Sequence, residues 1–293
     1  MVSGSPIDVH PVLPVGAILG EGPVWARGAL WFVDIKRKRV YKFDPASGST
    51  AQWEAPDQVG WILPEQGGGM IAGVKTGLYR LSPHSGAFAL LFDPEPHQPT
   101  NRLNDASTDC HGRLWFGTMD DGETRPTGAL YRYAGGRCAD SGAPRVAITN
   151  GPAITPDGCT LFHTDTSGGV IWRMTINDDG SLAAPSQHIL IERGGGYPDG
   201  SVIDAEGCLW VALFGGWAVR RYDPSGTLMR TIRFPVANVT KIAFGGPDLR
   251  TAYATTARIG LDAAALAAQP LAGDLFSFDP GVEGLAIYEA IIP

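Results

Sequence analysis

The sequence predicts a single all-β domain of residues 1–293, folded as a six-bladed β-propeller, on the basis of two observations. A glycine turn followed by an apolar strand recurs six times along the chain. Glycine (39 residues) and proline (23 residues) are abundant, and charged residues make up only 18%. Repeats of about 45 residues with several short strands are typical of propeller blades, and a composition rich in turn-forming residues favours β-structure.

Each repeat contains an apolar anchor residue near the start of one strand. The six anchors are separated by 40, 44, 47, 48 and 44 residues, and they are Leu30, Met70, Leu114, Leu161, Leu209 and Tyr253. Turn sequences such as DPASG, SPHSG and DPSG separate the strands, and each is a favourable β-turn sequence. We therefore expect two hairpins in each repeat and four strands in each of six blades.

The segments outside the repeats predict how the ring closes. Residues 7–18 precede the first repeat and residues 284–292 follow the last, and one of these two segments is expected to add a strand to a blade. Helix is scarce, and residues 262–268 (DAAALAA) form the only segment that we predict to be helical, within a loop. No linker marks a second domain.

The charge and the amino-terminal sequence argue against several function classes. A net charge of −7 and a pI near 5.3 disfavour binding to nucleic acid or to an anionic membrane. The first 20 residues contain no basic side chain and only short apolar runs, so we expect neither a signal peptide nor a membrane span. The expected protein is cytoplasmic and monomeric, with cysteines that are reduced and mostly buried: Cys110, Cys138, Cys159 and Cys208.

Oxygen-bearing side chains recur at a fixed distance before four of the anchors. Glu21, Asn104, Asn150 and Asp199 precede their anchors by nine, ten, eleven and ten residues. Equivalent positions in a propeller are related by rotation about its axis, so we expect these four side chains to meet at the mouth of the central channel.

Two carboxylates in a narrow channel repel each other unless a cation neutralises them. Carboxylate and amide oxygens suit a hard divalent cation, and the absence of His and Cys from these positions disfavours a Cys/His zinc site. The alternative is that Asn-Gly and Asp-Gly simply form turns. Glu21 favours the metal site over this alternative, because Glu is a poor turn residue.

Several motifs together resemble one known family. They are GEGPVW around Glu21, NRLND at 101–105, GTM at 117–119, Asn150-Gly151 and PDG at 198–200. This arrangement is similar to the SMP-30/gluconolactonase/luciferin-regenerating-enzyme-like family, which includes regucalcin. The resemblance covers the whole chain in the same order, and it implies a propeller with one catalytic divalent metal in its channel that hydrolyses sugar lactones.

The resemblance also implies roles for individual residues. Glu21, Asn150 and Asp199 match the metal ligands, and Asp199 is in addition the candidate general base. Arg102 and Asn104 match residues that contact sugar hydroxyls. An acidic substrate contact is expected after the GTM motif, and Asp120, Asp121 and Glu123 are all candidates for it. Aromatic residues expected at the mouth from their position alone are Trp61, Tyr197 and Trp217.

Within this family the chain resembles bacterial aldonolactonases, and xylonolactone is the expected substrate. Iron(II), zinc or manganese is favoured as the metal because each is a stronger Lewis acid than calcium, while calcium or magnesium also suits the ligands. Two other function classes remain open at this point. One is a non-catalytic, calcium-binding propeller scaffold, and the other is a phosphotriesterase or arylesterase on the same fold.

Overall fold

The computed structural model describes residues 7–293, which form six four-stranded antiparallel sheets. The innermost strands of the sheets contact one another in cyclic order, so the sheets close into a ring around a central channel. The six-bladed β-propeller predicted from the repeats is therefore confirmed. Residues 1–6, which the sequence assigns to the same domain, lie outside the described residues.

The first strand of the chain, β1 (His10–Leu13), lies apart in sequence from the sheet that it completes. Blades one to three follow it and consist of β2 (Gly20–Ala26), β3 (Ala29–Asp34), β4 (Arg39–Asp44) and β5 (Ser49–Glu54); β6 (Val59–Pro64), β7 (Met70–Val74), β8 (Gly77–Leu81) and β9 (Phe88–Phe92); and β10 (Asn101–Thr108), β11 (Leu114–Asp120), β12 (Leu130–Ala134) and β13 (Arg137–Asp140).

Blades four and five also use consecutive strands, whereas the last three strands form most of blade six. They are β14 (Thr149–Ile154), β15 (Thr160–Asp165), β16 (Val170–Thr175) and β17 (Ser186–Leu190); β18 (Tyr197–Ile203), β19 (Leu209–Phe214), β20 (Ala218–Tyr222) and β21 (Leu228–Arg233); and β22 (Val239–Gly245), β23 (Thr251–Thr256) and β24 (Leu275–Phe278). Every predicted anchor lies in the second strand of its blade.

The two ends of the described chain close the propeller in different ways. Strand β1 pairs antiparallel with β24, with His10 opposite Ser277, and so becomes the outer strand of blade six. This confirms that one of the two flanking segments supplies the closing strand, and it is the segment before the first repeat. The last segment, residues 284–292, instead crosses the other face of the propeller, the face opposite the start of β18 at Tyr197. There Gly284 bridges to Asp204 and Ala290 bridges to Glu65.

The hydrophobic core lies between adjacent blades. The innermost strands are buried along most of their length, because they are covered by neighbouring blades on both faces, whereas the outer strand β5 is largely exposed. The ring of Trp210 in blade five, for example, packs 5.8 Å from Phe244 and 6.1 Å from Phe278 in blade six. Burial of such aromatic side chains stabilises each interface between blades.

A buried aspartate fastens the turn of blade five to its second strand. The carboxylate of Asp204 accepts hydrogen bonds from the backbone of Cys208 at 3.0 Å, from the Trp210 ring nitrogen at 2.7 Å and from Arg221 Nε at 2.8 Å. Asp109 has a similar role in blade three, where it accepts from the backbone of Arg113 at 3.0 Å, from Arg113 Nε at 2.6 Å and from Trp115 at 2.8 Å. A buried carboxylate with this many donors stabilises its turn strongly.

Three smaller expectations can be compared with the structure. The predicted helix is present as α1 (Ala263–Ala268), and Asp262 caps it by accepting from the backbone of Ala265 at 2.8 Å. The four cysteines are free, as expected, but the expectation that most are buried is wrong: only Cys208 is buried, and Cys159 is exposed because it lies in a hairpin turn. Within residues 7–293, no helix is long and apolar enough to cross a membrane.

Candidate active site

Each innermost strand has a β-bulge at one level of the channel. The pairing with the second strand shifts between Glu21 and Val24, Val59 and Trp61, Leu103 and Ala106, Asn150 and Ala153, Pro198 and Ser201, and Val239 and Lys241. A bulge inserts one unpaired residue and redirects the neighbouring side chains. The four polar residues that recur before the anchors lie at four of these bulges, so the structure brings them to one level of the ring.

The bulges open into a cavity of about 440 Å³, a size typical of small-molecule sites. Seven of the predicted site residues line it, namely Glu21, Arg102, Asn104, Glu123, Asn150, Tyr197 and Asp199. The remaining polar lining residues are Thr166 and Ser167, and the apolar ones are Leu19, Ile35, Met119, Ile148, Phe214 and Ile259.

A chain of hydrogen bonds fixes the orientation of the two asparagine amides. Arg102 Nη1 donates to Asn104 Oδ1 at 2.5 Å, and Asn104 Nδ2 donates to Asn150 Oδ1 at 3.1 Å. Asn150 Nδ2 in turn donates to Thr166 Oγ1 at 2.9 Å. Because the carbonyl oxygen of Asn150 accepts only one of these bonds, its second lone pair is free to bind a ligand.

Glu21 and Asp199, two of the three carboxylates that line the cavity, are buried with few hydrogen bonds. Glu21 is 5% exposed and accepts one bond from the backbone of Gly22 at 2.7 Å, while Asp199 is 7% exposed and accepts none from any residue in 7–293. Burial, together with the negative charge of Asp105, raises the pKa of Glu21 to about 8. Burial and the charge of Glu21 raise the pKa of Asp199 well above its ordinary value. The cavity therefore favours a positive ligand between them.

Asp105 and Lys241 form a buried ion pair that the sequence analysis did not assign. Lys241 Nζ lies 2.5 Å from Asp105 Oδ1, and the same carboxylate accepts from the backbone of Ala106 at 2.8 Å and of Gly151 at 3.0 Å. Both residues line a second cavity of about 380 Å³ on the other side of the bulges. The sequence signal for this pair was weak: Asp105 directly follows Asn104, but Lys241 lies twelve residues before Tyr253, outside the spacing of nine to eleven residues shared by the four recurring polar residues.

Two glycines in the recurring motifs are required by close approaches in the channel. Gly22 has φ +54°, and a Cβ there would lie 3.0 Å from the Cα of Trp61. A Cβ on Gly200 would collide with the side chain of Lys241, which passes beside it. The glycines next to Glu21 and Asp199 thus allow the channel to be as narrow as it is.

The structure does not bring Asp120 to the cavity. Its carboxylate accepts bonds from Arg125 Nη2 at 2.6 Å, from the Arg125 backbone at 3.1 Å and from Thr124 N at 3.1 Å. These bonds hold the pKa of Asp120 well below its usual range. Asp120 therefore fixes the turn after β11, and we do not assign it a contact with the substrate.

Asp121 fastens Arg102 to blades one and two at the edge of the cavity. Its carboxylate lies 3.1 Å from Lys36 Nζ, 2.9 Å from Lys75 Nζ and 3.0 Å from Gln58 Nε2. Arg102 Nε lies 3.3 Å away. Hydrogen bonds from Lys75 and Lys36 outweigh the effect of burial and hold the pKa of Asp121 well below its usual range.

Glu123 and Tyr197 are at the open end of the cavity, whereas the two tryptophans expected there are not. Glu123 has φ +60°, a conformation uncommon outside glycine, and it lines the cavity. The expectation for Trp61 is wrong, because its ring is buried between blades two and three and it lines the second cavity instead. Trp217 is 41% exposed but does not line the candidate site.

The donor set of Glu21, Asn150 and Asp199 fits a divalent cation. It offers two carboxylates that form no ion pair within residues 7–293 and one correctly oriented amide oxygen, all from hard-oxygen groups. Among residues 7–293, no cluster of three or more His, Cys, Asp or Glu side chains could hold a metal ion. The proposed set contains only two such side chains, Glu21 and Asp199, because its third ligand is the amide of Asn150. The cation site is therefore a proposal.

Comparison with known proteins identifies the family. The SMP-30/gluconolactonase/LRE-like family model matches residues 19–258. The chain belongs to this family. It is 34% identical to the 6-deoxy-6-sulfogluconolactonase of Pseudomonas putida, over 92% of this chain and 94% of that one.

Other members of the family carry a different name. Regucalcin of Bos taurus is 32% identical over 97% of this chain and 98% of its own. The crystal structure of a calcium-binding protein, regucalcin, from Agrobacterium tumefaciens superposes with a TM-score of 0.92 at 28% identity, covering 98% of each chain. The family thus includes proteins named as lactonases and proteins named as calcium-binding.

Proposed function

We propose that this protein hydrolyses a neutral sugar lactone to the aldonic acid, with one divalent cation held by Glu21, Asn150 and Asp199. The observation that carries the proposal is the pair of buried, poorly hydrogen-bonded carboxylates beside an oriented amide oxygen in one cavity. Similarity over 92% of the chain to a protein named 6-deoxy-6-sulfogluconolactonase supports the reaction class.

The protein supplies the rest of the site. When bound, a divalent cation supplies Lewis-acid stabilisation of the oxygen that becomes negative during ester hydrolysis. Glu21 and Asp199 provide the negative charge that holds it, and Asn150 completes the set with a neutral oxygen. The hydrogen bonds through Asn104 and Thr166 keep the Asn150 amide oriented before any ligand arrives, so little reorganisation is needed on binding.

Asp199 is the proposed general base. Neither of its oxygens accepts a hydrogen bond within residues 7–293, so this carboxylate would both help to hold the cation and accept the proton of the attacking water. Once the lactone ring opens, the same carboxyl group can return the proton to the leaving alkoxide.

Arg102 and Asn104, next to Asn150, are the proposed substrate contacts. The Arg102 guanidinium is 3% exposed and is fixed by Asp121 and Asn104, so its position is set without a substrate. Groups held in this way orient hydroxyls at a small cost in entropy. Glu123 and Tyr197, at the open end, are placed to contact the part of the lactone that points away from the carbonyl.

Xylonolactone as substrate and iron(II), zinc or manganese as the metal are the finer parts of the proposal. The cavity, of about 440 Å³, is large enough for an uncharged sugar lactone, and the proposed ligand set suits any of these ions or calcium. A non-catalytic calcium-binding role is the second candidate, favoured by the regucalcin relatives.

A pH-stat assay tests the proposal. Hydrolysis of xylonolactone and gluconolactone is measured on the purified protein, on protein stripped by a chelator, and after addition of iron(II), zinc, manganese or calcium. An aryl acetate and a phosphotriester serve as comparison substrates. We expect lactone hydrolysis that is lost on chelation and restored by a metal. Hydrolysis that survives complete metal removal, or a greater rate on either comparison substrate, would contradict it.

A further inference from the structure

Above the polar floor of the cavity, formed by Glu21, Asn104, Asn150 and Asp199, the walls differ in the polarity of their side chains. The wall from blades three and four carries the polar residues Glu123, Thr166 and Ser167 together with the apolar Met119 and Ile148. Apart from Glu21 and Asp199, the described lining residues of blades five, six and one are Leu19, Ile35, Phe214, Ile259 and Tyr197. Of these, Tyr197 alone has a polar side-chain atom. The cavity therefore presents hydrogen-bonding groups on one side and apolar surface on the other.

The apolar wall has accessible surface that a ligand can cover. Tyr197 is 57% exposed, and Phe214 and Ile259 are partly exposed. Covering such surface contributes about 25 cal/mol for each Å² removed from water. A hydroxyl group placed against the same wall would lose its hydration without gaining a partner, which is unfavourable.

The charges of the lining disfavour an anionic substituent. Arg102 is the only cationic side chain that lines the cavity within the described chain, and its guanidinium already contacts Asn104 and Asp121. The nearby amino groups of Lys36 and Lys75 are held by Asp121. A sulfonate, phosphate or carboxylate on the substrate would therefore meet an apolar wall or a carboxylate rather than a free cation.

We infer that the preferred substrate is a neutral lactone with one hydroxylated edge and one apolar edge, such as a deoxy- or alkyl-substituted aldonolactone. The hydroxylated edge lies toward Arg102 and Glu123, and the apolar edge lies against Phe214 and Ile259. This inference rests on the proposed function, since it names the kind of lactone that the same site takes. It distinguishes this chain from a relative named for a sulfonated substrate.

Matched substrate pairs test the inference on the unaltered, metal-loaded protein. L-rhamnono-1,4-lactone and L-mannono-1,4-lactone differ by a single terminal hydroxyl, and 6-deoxy-6-sulfogluconolactone differs from gluconolactone by an anionic group. We expect kcat/KM to be roughly 10- to 100-fold greater for the deoxy lactone than for its hydroxylated partner, the range that a single group in an apolar pocket provides. We expect the sulfonated lactone to be hydrolysed more slowly than gluconolactone.

A variant locates the preference on the apolar wall. Ile259→Asn should lower the ratio of the two rates in the rhamnono/mannono pair toward one, whereas Leu190→Asn, the same type of change on an exposed outer strand, should leave it unaltered. Equal or greater kcat/KM for the hydroxylated or the sulfonated lactone would overturn this inference alone. Absence of hydrolysis for every lactone would instead overturn the proposed function, and the wild-type comparison stands even if Ile259→Asn does not fold.

Discussion

The amino group of Lys241 lies 2.5 Å from the carboxylate of Asp105, although the two residues are 136 positions apart in sequence. The pair joins blade three to blade six across the channel, next to the carboxylates of Glu21 and Asp199, whose charges interact with both residues. Three acids are thus buried together, and Lys241 neutralises one of them. The remaining two negative charges match the charge of one divalent cation.

Replacement of Lys241 should lower the free energy of unfolding, because Asp105 loses its partner. Lys241→Met leaves the Asp105 charge buried without a partner, and we expect the free energy of unfolding to fall by about 3 kcal/mol. Replacing both residues, as Lys241→Met with Asp105→Leu, should restore much of this loss, because no buried charge remains. Urea denaturation of the wild type, Lys241→Met, Asp105→Leu and the double variant gives the coupling energy, and strictly additive effects would show that the two residues do not stabilise each other.

Asp121 should affect substrate binding through Arg102. In Asp121→Asn the ion pairs to Lys36, Lys75 and Arg102 lose their charge, so Arg102 is no longer held toward the lactone. We expect KM for the lactone to rise by about tenfold, equivalent to about 1.4 kcal/mol, with a much smaller change in kcat. Steady-state kinetics would measure both.

A matched control for Asp121 is available on the same side of the propeller. Asp57 pairs with Lys38 at 2.9 Å on the surface and does not line the cavity. Asp57→Asn should leave KM unaltered, since exposed pairs of this kind contribute little. An equal change of KM in both variants, or a loss confined to kcat in Asp121→Asn, would exclude the positioning role.

Asp204 should contribute to stability rather than to the reaction. Asparagine at this position retains the shape but presents an amide N–H group to the Trp210 and Arg221 donors, which would then be buried without an acceptor. We expect Asp204→Asn to lower the free energy of unfolding by about 3 kcal/mol, measured by urea denaturation. Asp178→Asn, at an exposed turn, should change it by less than about 0.5 kcal/mol. Loss of lactone hydrolysis in a fully folded Asp204→Asn protein would be unexpected.

His163 should make stability depend on pH. Its ring is 1% exposed, neither nitrogen has a partner in the described structure, and burial lowers its pKa from 6.5 to about 4. Between these values the unfolded chain binds a proton that the folded protein does not. The contribution of neutral His163 is therefore complete above pH 6.5 and is lost as the pH falls toward 4, by about 3 kcal/mol.

A comparison of the wild type with His163→Leu separates the effect of His163 from the titration of the acidic side chains. His163→Leu removes the titrating ring without removing a hydrogen bond, so its free energy of unfolding should fall less than that of the wild type between pH 7 and pH 4. His84→Leu, which replaces a histidine in an exposed turn, should follow the wild-type curve. Parallel curves for all three proteins would show that His163 is not buried as a neutral ring.

Much of the fold could be predicted because the repeats are regular. The six anchors from Leu30 to Tyr253 predicted the number of blades, and the polar residues at a near-constant distance before four of them indicated which side chains would share one cavity. For the closing strand β1, the sequence indicated only two candidate segments. An outer strand of four residues has too little pattern to distinguish it from a loop.

The parts of the site that could not be predicted depend on contacts between distant segments. Lys241 and Asp105 stand on different blades, so neither sequence neighbourhood shows the pair. The choice among Asp120, Asp121 and Glu123 depended on which carboxylate met Arg125 and which met Lys75, and adjacent acids in a loop carry no signal for this. Trp61 was misplaced because the bulge after Val59 directs its ring between blades rather than to the mouth.

The most direct test of the central claim measures cation binding and hydrolysis on the same samples. Metal-free wild type and Glu21→Gln are titrated with zinc and with manganese by isothermal calorimetry, and lactone hydrolysis is followed at each occupancy. We expect one ion per chain in the wild type, a rate that rises in proportion to occupancy, and at least tenfold weaker binding in Glu21→Gln. Unaltered affinity in Glu21→Gln, or hydrolysis that is independent of occupancy, would contradict the assignment.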